Sequence, residues 1–344
     1  MKLGIIGLPQ SGKSTVFEAL TKSISDIPHK GEDRIATIRV PDKRIDALGD
    51  MYHSKKRIYA QIEYFLPGTA GAKKDRSGDQ IIWTAVRECD ALLHIIRNHS
   101  SPGFGEKLPY EDFRKLDQDL ILADLIVVEK RLERIELDHK RGKKMDTEEH
   151  SLLIQCRQNF ENETPLRRRP DLASAHKLRG FALLSAKPML VLFNNDDDDD
   201  SMPEINDLIQ MENCLVIKGK LEREIIQMSD ADAVEFLKEF NINESALERV
   251  IRCSYEILGL ISFFTIGEDE IKAWTIKSKT QAVDAAEAVH SDMKKGFIRA
   301  EVLSFDDLME AGTYAAARKK GTVRLEGKTY EVKDGDIINF RFNV

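Results

Sequence analysis

The sequence predicts an α/β chain: a mostly parallel sheet carrying a phosphate-binding loop, an inserted helical hairpin, and a small β-rich unit at the end. Three observations predict it. The apolar run Lys2–Ile6 leads straight into Gly7-Leu8-Pro9-Gln10-Ser11-Gly12-Lys13-Ser14, a full match to G-x-x-x-x-G-K-[ST]. Through residues 110–163 the apolar residues thin to a helical stripe in a segment dense in charge. Beyond Phe263, short strand signals alternate with hairpin-type turns.

The order strand, glycine loop, helix is what phosphate binding needs. Gly7 and Gly12 let the backbone fold tightly, so that its N–H groups surround a phosphate. Thr15, Val16, Phe17, Ala19 and Leu20 read as the first turns of a helix whose N-terminus faces the same phosphate. Lys13 reaches the β- and γ-phosphate oxygens, and the Ser14 hydroxyl ligates Mg²⁺. The expected phosphate contacts are therefore Gly7, Gln10, Ser11, Gly12, Lys13, Ser14 and Thr15. The bland alternative is a chance glycine-rich turn. A placement between a strand and a helix at the start of the sequence favours the nucleotide site.

Composition bounds the rest. A chain of 344 residues with 42% hydrophobic content is expected to form two or three domains. A net charge of −7 excludes a global positive field, so RNA contact would need a local patch, and sequence-specific DNA binding is not expected. Cys89, Cys156, Cys214 and Cys253 are scattered without metal-ligand spacing and read as reduced, mostly buried thiols. With no signal-peptide architecture and no apolar run of membrane-spanning length, a cytoplasmic protein without membrane contact is expected.

Along the chain, the polar stretch 23–34 fits a mobile switch, followed by strands at 35–40, 58–66 and 90–97. Pro67-Gly68 ends the second of these, and residues 69–79 read as a glycine- and charge-rich loop. Leu116, Leu120, Ala123, Val127, Leu132 and Ile135 recur at helical spacing, and a second helix is expected at 147–163. Together they read as an antiparallel coiled-coil hairpin, either a docking arm or simply a solvated pair. Strands at 188–193 and 214–217 and helices at 231–240 and 244–258 resume the first domain, so the hairpin is an insertion. Strands at 322–325, 329–332 and 337–344 with a helix at 283–294 make a compact β-grasp-like module. The expected domains are 1–114 with 182–262, the insertion 115–181, and 263–344.

On these residues the chain resembles the YchF/Obg-like ATPase family of P-loop GTPase-related proteins. The resemblance rests on GIIGLPQSGKSTVFEAL, RECDALLHIIR, ADLIVVEKRLER and AKPMLVLFN. It is densest in YEILGLISFFT, in the segment beginning AWTIKSKTQAVDAAEAVH, and in EGKTYEVKDGDIINFRFNV. It implies a G domain, a coiled-coil insertion, and a C-terminal TGS domain of ubiquitin-like fold. It also implies slow nucleotide hydrolysis, often favouring ATP over GTP, and association with ribosomes or RNA.

Departures from the family fall on the catalytic elements. Where the family resembles D-x-P-G, this chain has Phe65-Leu66-Pro67-Gly68, so a ring stands in place of the carboxylate that supports Mg²⁺ through water. The switch after it keeps only Gly71 and Gly78; in the first switch Lys30 or its neighbours replace the expected Thr, with Thr37 inside the strand. Loss of a carboxylate that holds a metal's water ligand weakens metal affinity or activity by roughly 10–100-fold. Asn194 and Asp197 stand where the base-recognition residues belong. Asp197 by residue type leans to guanine, the resemblance leans to ATP, and the acidic run 196–200 also reads as a solvated loop. Lys218-Gly219-Lys220 stands where the family resembles Ser-Ala.

The expected function is thus a weak P-loop NTPase binding Mg²⁺ with ATP or GTP and coupled to a ribosome or RNA partner. The rival is a pseudo-NTPase scaffold; no catalytic residue is assigned. Two basic clusters, Lys294–Arg299 and Arg318–Lys320, read as an RNA contact or as solvated charge around a core Phe297 and Ile298. Arg167-Arg168-Arg169 reads as a solvated loop or an rRNA contact, and His94 as a satisfied core residue.

Overall fold

A computed structural model describes residues 1–22, 31–68, 82–100, 103, 105–229, 232–233, 235–236 and 245–343. The switch expected at 23–30 with Lys30, the loop 69–79 with Gly71 and Gly78, and most of the helix expected at 231–240 lie outside the described residues. The elements begin β1 (Lys2–Ile6), α1 (Lys13–Thr21), β2 (Arg34–Arg39), α2 (Lys43–Tyr52), β3 (Lys56–Ile58), β4 (Gln61–Leu66) and β5 (Ala91–Asn98). Next come α3 (Pro109–Lys140), α4 (Thr147–Glu161), β6 (Met189–Asn195), β7 (Asn213–Ile217), α5 (Gly219–Ile225) and α6 (Ala246–Ile257). The C-terminal run is β8 (Leu260–Ile266), β9 (Glu270–Lys277), α7 (Ala282–Val289), β10 (Phe297–Ser304), β11 (Arg324–Glu326) and β12 (Asp336–Phe342), with shorter helical turns between. Two compact units result: Met1–Thr37 with Glu63–Val250, and Ile38–Ile62 with Ile251–Val344.

The first unit holds a six-stranded sheet in the order β2-β4-β1-β5-β6-β7. β1 runs parallel to both β4 and β5, and β6 runs parallel to β5 and β7. The central strands are continuous apolar runs because helices cover both faces; Leu92, Leu93, Leu190, Val191 and Leu192 are wholly buried. β5 and β6 pair along their length, from Leu92 opposite Met189 to Asn98 opposite Asn195, so the helical hairpin between them is an insertion.

Within the hairpin, Val128, Leu132 and Ile135 of α3 meet Leu153, Cys156 and Phe160 of α4. Arg131 pairs with Glu149 near the turn and Arg114 with Glu163 at the far end, as antiparallel helices require. Leu116 and Leu120, expected on the same stripe, face the core of the sheet instead. The hairpin base is clasped by buried charge. Asp124 accepts the Leu184 and Ser185 N–H groups at 3.0 and 2.7 Å and pairs with Arg87 at 2.8 Å. Arg167 pairs with Asp117 and Glu212, each at 2.8 Å. Burial alone would lower its pKa, and the two carboxylates more than reverse that. Arg167 is therefore no solvated residue, whereas Arg168 is exposed while also reaching Glu212, and Arg169 holds Asp171 at the surface.

The second unit is also built on six strands, in the order β11-β10-β12-β8-β9-β3. β8 and β9 form an antiparallel hairpin, β12 antiparallel to β10 lies parallel beside β8, and α7 packs Ala282, Ala285 and Ala286 under Phe263 and Phe340. That is β-grasp topology. Several expectations need correction here. The single strand expected at 58–66 is broken: β3 ends at Ile58, pairs parallel with β9, and belongs to this unit with α2. Residues 329–332 contribute only a bridge from Glu331 to Gln281. The helix expected at 283–294 is interrupted at His290, whose φ of −160° is extended, and resumes over Ser291–Lys295. Phe297 is core, but Ile298 is 55% exposed. Lys294 is taken up by Asp284, and Arg318 by Glu301.

Candidate nucleotide site

The loop after β1 takes the shape its glycines permit. Gly7, Gln10 and Gly12 have φ of 155°, 67° and 95°. A Cβ on Gly7 would strike the Ile95 carbonyl oxygen, and one on Gly12 the side-chain amide nitrogen of Asn194. Gly12 caps α1 with no side chain over its first turn, and that turn carries no acidic residue. The uncapped N–H groups and the dipole end of α1 thus face the loop's concavity.

Lys13 Nζ donates to the Gly7 and Leu8 carbonyls at 2.9 and 2.8 Å, within the curve of the loop. Burial pushes its pKa down to about 8. Ser14 is exposed at the mouth, Gln10 is exposed beside it, and Ser11 is buried with a hydroxyl that has no hydrogen-bond partner. Thr15 begins the face of α1 that turns toward the end of β6.

Asn194 ties three loops together. Its Nδ2 donates to the Ser11 carbonyl at 3.0 Å, and its Oδ1 accepts the Gly219 N–H at 2.9 Å. The side chain is 5% exposed, so both bonds are made in a dry setting where each counts fully. Asp197 accepts the Leu221 N–H at 3.2 Å through one oxygen and meets Lys220 at 3.3 Å through the other. Around these residues lies a cavity of about 580 Å³, within the range of small-molecule sites.

Gln10, Gly12, Lys13, Ser14, Thr15, Asn194 and Asp197 line that cavity together; Gly7 and Ser11 shape the loop from behind. His99, Ser100, Asp196 and Arg223 also line it. The sequence reading missed their role, and the available signal was position: His99 and Ser100 follow the carboxyl end of a central strand, where α/β sheets place ligands. Lys107 holds the Asp196 carboxyl below the usual carboxylate range while Ser100 N–H binds the same group. Asn195 turns inward, donating to the Asp199 and Ser201 carbonyls, so the acidic run is an ordered loop on which Asp198 and Asp200 are exposed.

Phe65 is a buried residue of β4. It pairs with Gly4 in the sheet and packs with Ile6, Val86 and Cys89 at 3% exposure, with Lys2 Nζ 5.0 Å from its ring centroid. Gly68 instead donates its N–H to Asp33 at 2.7 Å. Thr37 lies within β2. His94 is a core residue stacked on Phe113, and burial pushes its pKa down to about 3, but its Nδ1 has no hydrogen-bond partner. Among the described residues, no group of three or more His, Cys, Asp or Glu could hold a metal ion.

Comparison with known proteins adds the following. Residues 2–131 match the family model described as a 50S ribosome-binding GTPase, and residues 260–343 match the C-terminal domain model of YchF GTPases, described as a protein of unknown function. The chain is 35% identical to the ribosome-binding ATPase YchF of Bacillus subtilis, covering 99% of both chains. It is 34% identical to the protein of that name from Haemophilus ducreyi, covering 100% of this chain and 99% of the relative. The solved YchF GTPase of Schizosaccharomyces pombe superposes with a TM-score of 0.83 at 28% identity, covering 99% of this chain and 97% of that one. A GTP-binding protein from Pyrococcus horikoshii shares the fold, with a TM-score of 0.61 at 18% identity over the full length of both.

Proposed function

Since the chain belongs to the YchF family, we propose that it binds a purine nucleoside triphosphate with Mg²⁺, hydrolyses it slowly, and acts on the ribosome in the cytoplasm. The observation that carries the proposal is the exclusion of any Cβ at Gly7 and Gly12, in a loop closed by Asn194 and lined by Lys13. A domain kept only as a scaffold has no need of a backbone so tightly specified, which favours the nucleotide-binding reading over the pseudo-NTPase. Ribosome association follows from the names of the relatives, and no described helix is long and apolar enough to cross a membrane.

The residues fit the cofactor in part. Ser14 at the N-terminus of α1 would be the protein ligand of Mg²⁺, and Lys13 would meet the phosphates. Mg²⁺ held there would neutralise phosphate charge. The buried Phe65 supplies no support to that ion, which is why hydrolysis is slow on this reading. The base would lie against Asp197. A carboxylate reading guanine needs both oxygens turned to the base edge, and here Leu221 N–H and Lys220 each engage one. Adenine is therefore the preferred base.

Calorimetric titration with non-hydrolysable ATP and GTP analogues tests the reading. The ATP analogue should bind with micromolar affinity and more tightly than the GTP analogue. Lys13→Ala should weaken binding by about 10–100-fold, the worth of one hydrogen bond to a charged group. No binding of either analogue at millimolar concentration would overturn the proposal.

Lys13 also fixes a pH dependence. Phosphate favours the charged ammonium, so binding raises a pKa that burial has lowered to about 8. The free protein is already protonated there below pH 7, and affinity is flat. As pH rises through 8 the free ammonium is lost and binding must take up a proton. Affinity for the triphosphate should fall by about tenfold between pH 7 and 9.5, a trend that Lys13→Ala should flatten.

A further inference from the structure

A second cavity lies wholly within the C-terminal unit, and its origin is a gap in the sheet. β12 pairs with its parallel neighbour β8 at Ile337 opposite Phe264, and β8 ends two residues later at Ile266 before turning into β9. β12 runs on to Phe342, held on its other side by β10. Beyond the end of β8 the sheet therefore opens beside β12, and a cavity of about 520 Å³ fills the opening. Tyr52, Trp274, Tyr314, Phe340 and Phe342 line it. Such a density of flat rings around one space suits a flat occupant, because offset stacking adds to simple burial.

One polar group on that wall lacks a role in the fold. The Tyr52 hydroxyl is buried and has no hydrogen-bond partner, whereas Trp274 Nε1 donates to Thr265 Oγ1 at 2.9 Å. A buried O–H left unpaired is costly, and a ligand carrying an acceptor would satisfy it. Glu270 at the rim disfavours an anion. We propose that this cavity is a binding site for a small, uncharged, planar heteroaromatic molecule, stacked among the aromatic walls with a ring acceptor on the Tyr52 hydroxyl. Nothing in the nucleotide site is involved, so the two proposals stand or fall separately.

Calorimetry of the full chain with quinoline and indole tests it. The two probes are similar in size, but the quinoline nitrogen accepts a hydrogen bond and the indole nitrogen only donates one. Quinoline should bind saturably at or below millimolar concentration, and more tightly than indole. Tyr52→Phe should weaken quinoline about tenfold, leave indole unchanged, and keep the melting temperature, since the hydroxyl has no partner to lose. Asn339→Trp, at an exposed rim position, should block both probes. No saturable binding of quinoline, or binding that Tyr52→Phe or Asn339→Trp leaves unchanged, would overturn the proposal.

Discussion

Gly12→Ala is expected to leave the protein folded and unable to bind nucleotide. Two effects combine. At φ of 95° an alanine is strained by about 1–2 kcal/mol, which a domain of this size tolerates. The larger effect is local, because the new methyl would occupy the place of the Asn194 amide nitrogen. That amide cannot step aside without giving up the Ser11 carbonyl and the Gly219 N–H, the bonds that hold three loops in register. The phosphate cradle is made of backbone N–H groups at fixed spacing, so a displaced loop loses several contacts together. Titration with the ATP analogue should show no saturable binding at millimolar concentration, a larger loss than Lys13→Ala, with an unchanged far-ultraviolet spectrum. Gly142→Ala is the control. It has φ of 84° and open space where its Cβ would stand, so backbone strain alone should cost no affinity there. Wild-type affinity in Gly12→Ala would place the nucleotide elsewhere.

The contrast between those two glycines shows what the sequence could and could not convey. Motif spacing made Gly7–Thr15 legible because the constraint is local: strand, loop and helix are consecutive. The buried strands β1, β5 and β6 were legible for a related reason, since parallel strands covered on both faces must be continuous apolar runs. Asn194 was named as a candidate from its place after a buried strand, but its partners Ser11 and Gly219 are remote in the chain, and nothing in the spacing names them. Arg167 misled in the opposite direction. Three consecutive arginines look solvated until Asp117 and Glu212 are brought in by the fold, and the first arginine is then a buried clasp. β3 was illegible because three residues cannot display a period; only its pairing with Glu270, Ile271 and Lys272 makes it a strand.

Phe65→Asp, which restores the residue type expected of D-x-P-G, should destabilise the protein without raising turnover. The ring is 3% exposed and packed among Ile6, Val86, Cys89 and Leu92. Removing it costs about 3–5 kcal/mol as a cavity, and the carboxylate adds the penalty of an ion withdrawn from water. Lys2, with its ammonium 5.0 Å from the ring centroid, offsets part of that penalty. For a domain of this size the sum corresponds to a fall in Tm of about 10 °C or more. Phe65→Leu, which keeps most of the volume, should cost only about 1 kcal/mol and leave the slow turnover as it is. The pair of variants separates two accounts of weak hydrolysis. If Phe65→Asp keeps its Tm and gains turnover, the ring is a removable plug over an otherwise competent Mg²⁺ site. If Tm falls and turnover does not rise, the position has been absorbed into the core, and a single reversion cannot recover the lost carboxylate. The packing of Phe65 against β1 and the Val86–Cys89 segment favours the second outcome.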